Sequence, residues 1–173
     1  GHLTAAAAYL LEGEYQCDSC SRTTKVFAVM AAGPLKIEGD VFGSDEDFSC
    51  VLRRLDQLPA PIAQVAQAAS EGRLRLDFSR TAGESYLMNH CEHCGGKIGD
   101  WFIHKPGEAF FPTHPDDIAR IAGQRIEGPF VFDDPDTSWS GWTDGWLESN
   151  GVAVPRSPPR LPRKPRARRA PKQ

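Results

Sequence analysis

The sequence of 173 residues predicts a single α+β domain followed by a basic tail, on three observations. Short runs rich in strand-forming residues alternate with stretches at helical spacing. Two Cys-x-x-Cys pairs, Cys17/Cys20 and Cys91/Cys94, stand 70 residues apart. All 23 acidic residues precede Val154 alongside 12 basic ones, so that part carries −11, whereas Pro155–Gln173 holds eight cations and no acid. Such a division reads as an acidic body with a basic arm. The domain is expected over residues 3–150 and a Pro/Arg-rich tail over 151–173.

Along the chain, Thr4–Tyr9 reads as a short helix leading into the first cysteine pair. Thr24–Ala31 is rich in strand formers, Ala32-Gly33-Pro34 is a turn signal, and Leu35–Val41 alternates, so the three predict a hairpin. Phe48, Val51, Leu52, Leu55 and Leu58 follow at helical spacing, with Ser44 or Asp45 available as an N-cap. Pro59 and Pro61 end that helix, and Pro61 suits the first turn of a second, Ile62–Ser70. Strands are expected at Arg73–Phe78, Ser85–Asn89 and Lys97–His104. His114-Pro115-Asp116-Asp117 opens a short helix, Ile118–Ala122, and Phe130–Phe132 adds a last strand. The tail has six prolines and one large apolar residue, Leu161. It buries too little surface to offset its ordering entropy, so it is expected to be disordered.

At 40% hydrophobic and 25% charged residues, the composition is that of an ordinary globular protein. No apolar run approaches the roughly 20 residues that span a bilayer. Leu3–Leu11 is apolar but lacks a basic n-region and a small-residue cleavage site, so a cytoplasmic location and no membrane partner are expected. Five cysteines without a signal peptide argue against a secreted disulfide framework. The excess of Arg over Lys fits a GC-rich bacterial genome.

The cysteine pairs carry the chemistry. Zinc is borderline-soft, binds thiolates strongly, and has no geometric preference of its own. Two residues between paired cysteines let one tight turn present both sulfurs to one metal. Four thiolates from Cys17, Cys20, Cys91 and Cys94 then make a closed tetrahedral shell for one structural Zn2+ per chain. A catalytic zinc needs an open position that this set does not leave, and neither pair has the context of a redox-active pair opening a helix. His93 is weighed as a substitute ligand against an exposed turn residue, and Cys50 is read as a small core residue.

The two knuckles, Tyr15-Gln16-Cys17-Asp18-Ser19-Cys20 and His90-Cys91-Glu92-His93-Cys94-Gly95-Gly96-Lys97, resemble the zinc-ribbon superfamily over about residues 15–30 and 85–104. The resemblance implies a zinc-ribbon-like antiparallel sheet in which knuckles at the ends of two hairpins clamp one zinc. The spacer is longer than the usual 15–20 residues, and Ser21 stands where a glycine is usual. Residues Thr24–Leu87 are therefore read as a strand-and-helix insertion.

Three further groups are candidates. Asp100 and His104, four apart on the expected strand, with His114 nearby, are the nearest approach to a general-base set for a hydrolytic enzyme. Trp139, Trp142 and Trp146 lie among acidic residues and read as a core or lid, or as a protein-binding face for an adaptor or inhibitor. In the tail, Arg156, Arg160, Arg163, Lys164, Arg166, Arg168, Arg169 and Lys172 can release counterions from nucleic acid or engage an acidic protein surface, including the chain's own body. The expected function is a non-enzymatic zinc-binding module whose tail contacts nucleic acid or an acidic partner.

Overall fold

The computed structural model describes residues 1–155. In chain order these form β1 (His2–Gln16), β2 (Thr23–Glu38), β3 (Ser49–Arg53), α1 (Ala60–Ser70), β4 (Arg75–Ser79), β5 (Glu84–His90), β6 (Lys97–Ile98), α2 (Asp100–Ile103), α3 (Pro115–Ala119), β7 (Ala122–Asp133), β8 (Asp136–Ser138) and α4 (Trp142–Ser149). Antiparallel pairing gives a five-stranded sheet in the order β7-β1-β2-β3-β8 and a three-stranded sheet in the order β4-β5-β6. The α+β expectation holds. No helix of the described residues is long and apolar enough to cross a membrane.

The large sheet is covered on both faces, which explains why its central strands do not alternate in polarity. Along β1, Tyr9, Leu11 and Tyr15 join one core with Val26, Ala28 and Met30 of β2. Ala8 and Leu10 join the other with Phe27, Val29 and Ala31. Ile62 and Ala66 of α1 close the second core, while Trp142, Trp146 and Leu147 of α4 close the first. A strand buried on both faces reads as a continuous apolar run. That is why Thr4–Tyr9 mimics a helix: it lies in the N-terminal half of β1, paired with β2 on one side and β7 on the other. The intrinsic preference of alanine for helix is overridden by this pairing.

The expected hairpin turn at Ala32-Gly33-Pro34 is instead a bulge inside one strand of 16 residues. The β1–β2 register shifts between Ala5 and Ala7, opposite Gly33 and Pro34. Pro34 lacks an N–H for the ladder, so a bulge accommodates it. Gly33 takes φ +91°, and a Cβ there would stand 2.7 Å from the Ala6 Cβ.

The helix expected over Phe48–Leu58 is also overturned. Residues 49–53 form β3, with Val51 in the first core and Leu52 in the second. A strand packed on both faces, followed by loop residues Leu55 and Leu58 on the second core, produces the same spacing as an amphipathic helix. The second helix is found as expected, and so are the strands β4 and β5. Lys97–His104 is not one strand: pairing stops at Ile98, and residues 100–103 make a single helical turn. The short helix after His114 begins at Pro115, earlier than expected, and the last strand extends from Ala122 to Asp133. Val152 and Val154 pack against the first core, so the packed body reaches beyond residue 150.

Candidate metal centre

Each cysteine pair occupies the six-residue connection of an antiparallel hairpin. Residues 17–22 join β1 to β2 beyond the Gln16–Thr23 pair, and residues 91–96 join β5 to β6 beyond the His90–Lys97 pair. The two turns repeat one backbone pattern. Cys17 N–H donates to Arg22 O at 2.9 Å, as Cys91 N–H does to Gly96 O at 2.8 Å. Ser21 N–H donates to Cys17 O at 2.8 Å, as Gly95 N–H does to Cys91 O at 2.9 Å. Both donors sit at positive φ, 63° for Ser21 and 73° for Gly95. Ser21 thus adopts the backbone conformation that Gly95 adopts in the other turn.

The two hairpins bring the four sulfurs within 4.8 Å of one another. Cys17 Sγ lies 3.7 Å from Cys94 Sγ, and Cys20 Sγ lies 3.7 Å from Cys91 Sγ. Four sulfurs about 2.3 Å from a tetrahedral metal stand about 3.8 Å apart, so the donor set fits. His93 N–H and Gly96 N–H lie 3.4 Å from Cys91 Sγ and Cys94 Sγ and aim at them. Such donors favour the ionised sulfur.

The thiols do not share charge evenly. Burial opposes ionisation of Cys91, but backbone N–H groups and neighbouring thiols outweigh it and lower its pKa. For Cys94 the Gly96 N–H favours the thiolate, yet burial and the adjoining thiols prevail and raise its pKa. Four sulfurs this close cannot all ionise unless a cation compensates them.

Side chains outside the cluster fix the second turn against β2. Thr24 Oγ1 accepts from Glu92 N–H at 3.0 Å, and a ring nitrogen of His93, Nε2, contacts Thr23 O at 2.9 Å. His93 is therefore a docking residue beside the cluster and not a ligand. His90 is buried, its Nδ1 2.8 Å from Arg73 O and its Nε2 2.8 Å from Asp77 Oδ2. Cys17 and Cys91 are each 2% exposed and belong to the first core, so the cluster lies at a core edge between the two sheets. Cys50 lies apart from the cluster on β3, fully buried, and burial pushes its thiol pKa up.

The other candidates separate. Asp100 and His104 line one small cavity of about 20 Å3, held by the α2 turn and not by a strand. His114 does not join them: its ring caps α3, accepting from Asp116 N–H at 3.1 Å. Burial raises the Asp100 carboxyl pKa to about 6, against the Arg54 N–H bond and the charges of Arg53 and Arg54. Burial lowers His104 to about 3. Trp142 and Trp146 are 7% and 2% exposed, and Trp146 donates to Ile121 O at 2.8 Å. They are core residues, as the core-or-lid reading expects. Trp139 is half-buried, donating to Thr137 Oγ1 at 2.7 Å. The tail cations Arg156 to Lys172 lie outside the described residues.

Sequence reasoning missed Asn89 and Thr24, which tie the hairpins together. Polar residues inside strand runs were their only signal. Fold and site together define a two-hairpin tetracysteine protein with the geometry of a metal centre. No family model, curated protein or solved structure matches the chain.

Proposed function

We propose that this protein is a non-enzymatic binding module stapled by one structural zinc ion, with a basic tail that contacts nucleic acid or an acidic partner. The observation that carries the metal half is the convergence of four sulfurs from two distant hairpins at tetrahedral spacing. A four-thiolate shell leaves no position for substrate or water, which favours a structural role. Zinc supplies the positive charge that lets the packed thiols ionise together. Cys17, Cys20, Cys91 and Cys94 hold it, and Thr23, Thr24 and Asn89 fix the hairpins that present them.

The binding half rests on charge. With −11 on residues 1–154 and eight cations beyond, attraction to phosphate falls to the tail. Native mass spectrometry tests the first half: one zinc per chain is expected, lost in Cys91→Ser. Salt-dependent binding to single- and double-stranded oligonucleotides tests the second. Deleting residues 156–173 is expected to remove most of the affinity and its salt slope. An unchanged slope sinks the tail's role, and binding only to acidic proteins redirects it.

A further inference from the structure

Beside α2 lies an open cleft of about 440 Å3, separate from the metal centre. This volume falls in the range of small-ligand sites. Its walls are Arg53 and Arg54 at the end of β3, Tyr86 of β5, Asp136 of β8, and Asp100 and Trp101 of α2. Trp101 is 73% exposed and the adjacent Phe102 42%, two large aromatic faces left in solvent on a rigid helical turn. The turn is held by Asp100, whose own N–H donates to Tyr86 Oη at 3.2 Å and whose Oδ2 accepts from Arg54 N–H at 2.7 Å. Arg54 adopts φ +48°, a strained conformation for a non-glycine residue, of the kind that collects at functional sites. Its guanidinium is fixed by Asp136 at 3.0 Å and Glu84 at 3.2 Å, and Arg53 also binds Asp136, at 2.9 Å.

This lining selects a ligand by elimination. A small cation inside the cleft meets two guanidinium groups, and a small anion meets the carboxylates of Asp100 and Asp136. The neutral ring of a nucleotide meets neither objection when its phosphate stays outside in solvent. It can stack on Trp101 and direct N–H donors at Asp100, a pairing that carboxylates make with amino-bearing base edges. We infer that the cleft binds an unpaired nucleobase with adjacent N–H donors, guanine above all, whether in a free nucleotide or in a single strand. The cleft is distinct from the tail, so either assignment can fail without the other.

The test uses the full-length, zinc-loaded chain and intrinsic tryptophan fluorescence. GMP is expected to quench saturably. UMP, whose single ring N–H lies between two carbonyls, is expected to bind at least about tenfold more weakly. Trp101→Ala, a surface change that leaves the core untouched, is expected to weaken GMP binding about tenfold or more by calorimetry. Asp100→Asn, which keeps an oxygen for the Arg54 N–H, is expected to do the same. A guanine-rich single strand that binds more tightly than a uridine-only strand of equal length, a preference lost in Trp101→Ala, marks the strand as the source; GMP binding without that preference marks the free nucleotide. No saturable response to either mononucleotide at millimolar concentration overturns the assignment, as does equal affinity for both. A normal GMP affinity in Trp101→Ala also overturns it. These mononucleotide results are independent of the tail, whose failure appears only in the salt slope of long oligonucleotides.

Discussion

The side-chain amide of Asn89 pairs with the backbone of Phe27, accepting from its N–H at 2.8 Å and donating to its carbonyl oxygen at 2.9 Å. Phe27 lies on β2 two residues before Val29, where pairing with β3 stops at Leu52. Asn89 therefore extends the ladder by one residue with a side chain, and joins the two sheets beside the cysteine cluster.

Removing that amide leaves two buried main-chain groups unpaired. Asn89→Ala is expected to destabilise the fold by about 3 kcal/mol, near the cost of two orphaned polar groups. Urea unfolding of the zinc-loaded protein measures it. A loss below about 0.5 kcal/mol would mean that water replaces the amide without penalty.

Metal removal should act unevenly. The five-stranded sheet has two cores of its own, whereas β6 is only two residues long and its turn is held by the cluster and by Thr23 and Thr24. On chelation, amides of residues 91–98 are expected to lose hydrogen-exchange protection first, while those of Leu10 and Val29 keep theirs. Simultaneous loss at both places would show that the whole fold depends on the metal.

The repeated turn offers a matched pair of substitutions. Ser21 holds a left-handed conformation that costs an L-residue roughly 1–2 kcal/mol, and glycine's extra unfolded-state entropy offsets about 0.5–1 of that. Ser21→Gly is expected to stabilise by about 0.5–1 kcal/mol, and Gly95→Ser to destabilise by a similar amount. Thermal unfolding of the two variants checks the signs, and two changes of the same sign would break the equivalence of the turns.

The cysteine cluster was legible because its information is local. Spacing within each Cys-x-x-Cys pair sets its turn, and only the meeting of the two hairpins needed the structure. The α1 helix was legible because it presents different faces to core and solvent, and the β4–β5 hairpin because its sequence alternates in polarity, although Leu76 and Phe78 of β4 remain exposed. Residues 3–11 and 48–58 misled because both faces of their strands are buried, which erases the period of two. The grouping of Asp100 and His104 was reached through a strand that ends at Ile98; the α2 turn still brings the two to one cavity, while His114 caps α3 instead.

Buried Asp100, which opens α2, and His104, which follows it, give opposed pH dependences. Asp100 binds its proton below about 6 in the folded chain, against 3.8 unfolded, so the folded state holds the extra proton between about pH 6 and 4. Its contribution to stability therefore rises as pH falls through that window. His104 is protonated below 6.5 when unfolded and only below about 3 when folded. Its contribution is lost as pH falls from about 6.5 to 3. Each slope is about 1.4 kcal/mol per pH unit, so the two nearly cancel between pH 6 and 4. Substituting one residue exposes the other. His104→Leu is expected to gain about 3 kcal/mol relative to the parent between pH 6 and pH 4, and Asp100→Asn to lose a similar amount. Comparing variant and parent at the same pH removes the effect of acid on the thiolates, which both proteins share. Urea unfolding at pH 4, 5, 6 and 7 supplies the differences. A difference independent of pH would show that neither side chain is as desolvated as its place in the α2 turn implies.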